Sequence, residues 1–309
     1  MLQDIQVVAG SVLTLFLMMA VGFFLGKKGW LSAGTLKQLS TVLLYIVCPA
    51  IMIDTFLSRE PTAETLRELG ISGAIMAGTY ILNMLLIGPW FRRQREDRGV
   101  MRFAAIYGNT GFMGIPLIQA VLGEAGMLTT VVSLAAYNIS VWTHGAWLMG
   151  GRQGISAKKA VLNPGVLGFL LAMVLFLLRV KLPGPVSSAV SYIGSLNTPL
   201  AMIVIGGQMS SVDFRSLFGD WRLYAVSALK LLLIPVVSML VMLPFQPSAA
   251  IFMAVAILAG CPVAGATSLF CQMNGKDTSL AARLVTISTL FSIITLPLTA
   301  LVSRLLSGG

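Results

Sequence analysis

The chain is short of charge. Asp, Glu, Lys and Arg make up 10% of its residues, where a soluble domain carries about a quarter. With 57% hydrophobic residues and a mean hydropathy of +0.89, that scarcity excludes a water-surrounded globular domain. It leaves a polytopic membrane protein with no room for a separate soluble domain. Cysteine is scarce too: Cys48, Cys261 and Cys271 are too few and too scattered for a disulfide framework, and no Cys/His spacing suits a metal. Histidine occurs once, as His144. A membrane enzyme needs a nucleophile with a base, a metal set or paired carboxylates; one histidine, and Asp54 near the end of an apolar run, supply none of these and call for no cofactor. A signalling receptor is disfavoured because no output domain accompanies the spans. The net charge of +10 does not point to nucleic acid. Most basic residues fall in short loops between apolar runs, where they fix orientation in a bilayer.

Long hydrophobic runs are what the chain has in abundance. A bilayer-spanning helix needs about 20 mostly apolar residues, and ten such runs are present, at residues 5–26, 36–56, 69–91, 101–121, 127–149, 161–178, 186–208, 223–243, 249–270 and 279–305. The start of the chain lacks a positive leader and a cleavage site, so the first run reads as a retained span. With the N-terminus outside, fourteen Lys and Arg fall on the cytoplasmic side, among them Arg92, Arg93, Arg95, Arg98 and Arg102. Five fall outside, and Lys230 and Arg283 lie within runs. Both termini are therefore expected on the outer side.

The two halves, residues 1–150 and 151–309, resemble each other at an offset of roughly 150 residues. Pro49 in Cys-Pro-Ala-Ile-Met-Ile matches Pro199 in Thr-Pro-Leu-Ala-Met-Ile, and the segment from Asn83 to Pro89 matches that from Lys230 to Pro235. Each half holds five runs. An odd number obliges the second half to insert upside down relative to the first, so the expected fold is all-α, two inverted five-helix repeats.

Both halves carry an interruption. Residues 108–116 read Gly-Asn-Thr-Gly-Phe-Met-Gly-Ile-Pro, and residues 260–265 read Gly-Cys-Pro-Val-Ala-Gly. Pro116 removes a backbone donor and frees the Phe112 carbonyl, a break tolerated in a bilayer only where protein or a water-filled cavity satisfies the freed groups. For either break alone, a proline kink with packing glycines is the plain reading. A pair at corresponding positions marks a carrier's binding site. Helix N-termini after the breaks would aim partly positive amides at one point, a cradle for a carboxylate. The residues expected around it are Asn109, Thr110, Gly111 and Pro116 on one side and Cys261 and Pro262 on the other. Tyr137 and Asn138 are polar enough to line a cavity, though interhelical hydrogen bonding accounts for them equally. Lys230, about 12 Å into its run at 1.5 Å per residue, either supplies countercharge or snorkels to the interface. Arg283, about one turn into its run, is expected to snorkel, and His144 to be a satisfied packing residue.

The run Asn-Thr-x-x-x-Gly-Ile-Pro-Leu at residues 109–117, Leu-Asn-Pro-Gly at 162–165 and Thr-Leu-Phe-Ser-Ile-Ile-Thr-Leu-Pro at 289–297 together resemble the auxin efflux carrier family, over essentially the whole chain. The resemblance implies ten spans in two inverted repeats, with the fourth and ninth crossing at prolines, an architecture similar to that of bile acid sodium symporters. It implies a homodimer with an elevator-like movement of the part that holds the crossing. The motif asparagine of plant members, which meets the substrate carboxylate, maps onto Asn109, and the crossover prolines map onto Pro116 and Pro262. Plant exporters carry a long hydrophilic loop between the halves; here only residues 150–160 stand there. That departure implies a short prokaryotic member of an inner membrane, moving small carboxylates such as malate or malonate. The residues do not choose between protons and sodium as a coupling ion.

Overall fold

The computed structural model describes residues 2–93, 96–154 and 156–308. Arg95, counted above toward the cytoplasmic side, lies outside the described residues. Among those residues the protein is helical throughout, with a single isolated β-bridge and no strand. We number the principal helices α1 (Leu2–Lys27), α2 (Ala33–Leu57), α3 (Ala63–Ile87), α4 (Arg98–Ile106), α5 (Thr110–Leu122), α6 (Glu124–Gly154), α7 (Pro164–Leu177), α8 (Gly184–Ser210), α9 (Trp221–Phe245), α10 (Ala249–Gly260), α11 (Ala266–Met273) and α12 (Ser279–Ser307). Seven of these, α1, α2, α3, α6, α8, α9 and α12, are long and apolar enough to cross a membrane. The apolar helices α5, α7 and α10 are shorter. α5 and α10 are cut by the interruptions, and α7 starts only at Pro164, where Asn163 accepts from Val166 N and caps it.

Helix starts follow the same chemistry elsewhere. Ser32, Thr62 and Ser248 each place a side-chain oxygen on an amide of the first turn, relieving a donor that the helix leaves unpaired. Proline shapes the interiors. Three of the four five-residue π-turns among the described residues, Leu43–Val47, Thr110–Gly114 and Leu229–Leu233, end two residues before a proline, Pro49, Pro116 and Pro235; the fourth, Val141–Gly145, does not. Proline cannot serve the carbonyl four residues back, so the chain widens by one residue per turn just ahead of it.

Packing puts α10 at the centre, buried along its whole length from Ile251 to Gly260 and touching α12, α9 and α6. α1 runs along the second part of α8, while α7 runs along the last turns of α2. The first pair approaches closely because Gly22 faces the Ile203 backbone and Gly206 faces the Met19 backbone, leaving no space for a Cβ. In the second pair Gly168 lies against Pro49. Outward faces of α1, α3, α7 and α12 expose Leu13, Leu17, Ile81, Leu85, Leu170, Val174, Ile294 and Leu298, apolar side chains suited to lipid rather than water.

At the start of α9 the expected snorkelling of Arg283 gives way to an ion-pair cluster. Asp220 accepts from Arg222 Nε at 2.8 Å and lies 3.3 Å from Arg283 Nη1, and Arg222 also binds Asp97. Arg283 donates to the Ser216 carbonyl as well. A carboxylate within reach is a better partner for a partly buried guanidinium than a stretched path to the interface.

Candidate functional site

α4 stops at Ile106 and α5 starts at Thr110; α10 stops at Gly260 and α11 starts at Ala266. The two gaps meet. Gly108 and Val263 form an antiparallel bridge, in which Asn109 N donates to the Pro262 carbonyl at 2.7 Å and Ala264 N to the Tyr107 carbonyl at 3.0 Å. Two extended stretches inside an apolar core thus satisfy each other's backbone groups, the condition for surviving there.

The remaining freed groups find partners one by one. Pro262 has no N–H for the Leu258 carbonyl, which takes Cys261 N at 3.3 Å instead. Val263 N, which in a continuous helix would serve the Ala259 carbonyl, donates to Ser288 Oγ of α12 at 3.1 Å. The orphaned Ala259 carbonyl then accepts from Lys230 Nζ at 2.6 Å. Lys230 is 1% exposed, so its head turns inward to the breaks and does not snorkel. It lies in the π-turn of α9 ahead of Pro235. Gly108 lets it approach: a Cβ there would fall 2.9 Å from Lys230 Nζ and 3.1 Å from the Cys261 carbonyl.

On the first break, Asn109 is 8% exposed. Its Oδ1 accepts from Phe112 N at 3.2 Å, capping α5, and its carbonyl accepts from Met113 N and Gly114 N. The carboxamide N–H₂ of Asn109 takes no part in that cap. Thr110 is buried, its hydroxyl beside that of Tyr80 without a well-formed hydrogen bond. Gly111 faces Leu134, and Gly114 lies against the Cys261 sulfur. Pro116 stands downstream of the break, not in it: the chain opens at residues 107–109, and Pro116 widens the following turn. Pro262 lies within its break.

Tyr137 reaches the crossing through its ring, 6.1 Å from that of Tyr107 and 6.5 Å from that of Tyr80. Asn138 does not: its amide donates to the Leu134 carbonyl, and it packs against Gly165 of α7. His144 is satisfied, as expected, but by a residue of the break, since its Nδ1 pairs with the Tyr107 hydroxyl at 3.0 Å. Sequence reasoning missed Ser288, Tyr80 and Tyr107. Their partners are backbone groups and rings far off in the chain, and a serine in an apolar helix carries no signal of its own. Two recesses open on the surface, the second of them beside Pro116. One of about 300 Å³ is lined by Arg98, Arg102, Trp147 and Lys276 among others, and a second of similar size by Leu15, Met18, Pro116 and Thr198 among others.

Apolar helices around two interrupted segments that share backbone hydrogen bonds are the construction of a membrane carrier. The chain belongs to the membrane transport protein family, that of the auxin efflux carriers, whose model matches residues 7–159 and 153–300. It is 24% identical to an "Uncharacterized transporter" of Methanothermobacter thermautotrophicus over 94% of this chain and 97% of that one. To the "Uncharacterized transporter YfdV" of Escherichia coli K12 it is 22% identical, over 96% and 98%. To a "Putative malonate transporter" of Rhizobium meliloti it is 25% identical, over 93% of each chain. The protein is a multi-pass membrane transporter rather than an enzyme.

Proposed function

We propose that the protein is a secondary carrier of a small organic anion, a carboxylate, which it binds at the joined breaks. The observation that carries this reading is the pair of hydrogen bonds tying Asn109 to Pro262 and Ala264 to Tyr107. They bring the capped start of α5, with the Asn109 amide, to the same place as the buried Lys230 ammonium. Thr110, Gly111 and Cys261 complete the lining, Tyr137 walls it, and Pro116 and Pro262 set the local backbone. An anion there meets helix N-terminal amides, a carboxamide donor and a nearby positive charge, the combination that favours a carboxylate. The name of the Rhizobium relative supports a small dicarboxylate such as malonate.

Ten spans in two inverted repeats complete the reading. Helix contacts support it, because exchanging the halves exchanges the contacts: α1 on α8 answers α7 on α2, and α1 on α12 answers α7 on α6. In this arrangement both termini lie outside the inner membrane of a bacterial cell and two copies form a homodimer. With the crossing buried on all sides, access to it alternates by movement of the part that carries the breaks. Purified protein in sealed vesicles tests the proposal: radiolabelled malonate should accumulate against unlabelled malonate inside and be displaced by other small carboxylates. Exchange of a neutral or cationic solute, with none of any carboxylate, would overturn it.

A further inference from the structure

Among the described residues Lys230 is the one charged side chain in the buried core, and its hydrogen-bond partner is a backbone carbonyl rather than a carboxylate. Its contact is the Ala259 carbonyl, at the C-terminal end of α10, where the helix leaves its carbonyls partly negative and unpaired. That carbonyl is free because its ordinary donor, Val263 N, has gone to Ser288. The space a Cβ of Gly108 would take lies within 3.1 Å of both the ammonium and the Cys261 carbonyl. Backbone carbonyls at the ends of broken helices are what carriers use to hold alkali cations.

We propose that the Lys230 ammonium is a tethered cation that fills, at the junction of the two breaks, the place of a bound sodium ion. The junction is then held closed and positive without any ion from solution. On the carrier reading, transport by this protein needs no sodium; the cation claim itself concerns the junction and stands whatever the substrate.

Thermal unfolding of the purified protein in sodium, potassium and N-methylglucamine chlorides at equal ionic strength tests it without a substrate. Wild type should melt at the same temperature in all three. Lys230→Ala should melt several degrees lower in N-methylglucamine and recover on addition of sodium or methylammonium, either of which fits the vacated carbonyls. Lys230→Met, which fills the space without a charge, should melt lower and respond to no cation. A wild-type melting temperature that rises with sodium would overturn the proposal. So would a folded Lys230→Ala protein indifferent to every cation. If Lys230→Ala does not fold, an unchanged melting temperature in Lys230→Met would overturn it equally. Absence of carboxylate uptake, by contrast, would remove the carrier's proposed substrate and leave these melting results intact.

Discussion

The break at residues 107–109 caps its own outgoing helix through Asn109, whereas the break at residues 261–265 takes its partners from two other helices, Lys230 of α9 and Ser288 of α12. The first therefore keeps a side-chain donor to offer a ligand. The second spends its polar groups on being anchored, and its small residues serve close approach. A carrier needs both properties at one point: a fixed backbone to bind against and a donor that a substrate can recruit. The division also explains why the asparagine stands on one side only, with Cys261 in the second break.

The largest expected effect comes from filling the first break. Gly108→Val places branched carbons against Lys230 and the Cys261 carbonyl, and overpacking of this kind costs about 1–3 kcal/mol or more. Uptake should be lost and the melting temperature should fall. Gly265→Ala in the second break should be tolerated by the same two measurements, because the nearest atom to its new Cβ is Gln208 Oε1 at 3.7 Å. If both glycines tolerate substitution alike, the asymmetry is wrong.

Next in size is the loss of an anchor. Ser288→Ala leaves the buried Val263 N–H without its acceptor, which costs about 1–3 kcal/mol. Denaturant or thermal unfolding should show this. Ser288→Thr, which keeps the hydroxyl, should recover most of it, and equal stability of the alanine and threonine variants would argue against the anchoring role.

The smallest effect lies outside the breaks. Hydrogen bonds from the Arg222 side chain hold the Asp220 carboxyl below the usual carboxylate range, against burial, which pushes it up, and with help from Arg283. A folded value below the unfolded one, about 3.9, means the stabilisation is present above that pH and disappears as pH falls through the folded value. Near a span end it is worth about 0.2–1 kcal/mol. Asp220→Asn should lower the melting temperature slightly at neutral pH and converge with wild type in acid. A constant difference across the acid range would show that the carboxylate charge is not responsible.

Much of this architecture was legible in the residues. Apolar runs gave the long helices, and the Gly/Pro clusters gave both breaks, because such residues at membrane depth demand special accommodation. Lys230 stood out as a charge where none belongs, although its choice between inward contact and snorkelling depended on which carbonyl lay within reach. The sequence was less informative where one residue type has two local effects. Pro116 reads as the cause of a break but only widens a turn, as Pro49 and Pro235 do in helices that continue. Asn138 looked as suited to a cavity as its neighbour Tyr137, and helix geometry turns it toward Gly165 instead. Ser288 and the Tyr107 carbonyl were invisible, since what qualifies them is the position of a backbone group more than twenty residues away or on another helix.

Malonate affinity and melting temperature, measured on the same purified Asn109→Ala protein, decide whether the joined breaks form a carboxylate site with Asn109 as a donor. Removing a hydrogen bond to a charged partner costs about 1.5–3 kcal/mol, or roughly 10- to 150-fold in affinity. A loss of that order is expected, with Asn109→Asp weaker still because its charge repels the anion, and a melting temperature lowered by no more than the loss of a helix cap. A folded Asn109→Ala protein that binds malonate with wild-type affinity would contradict it.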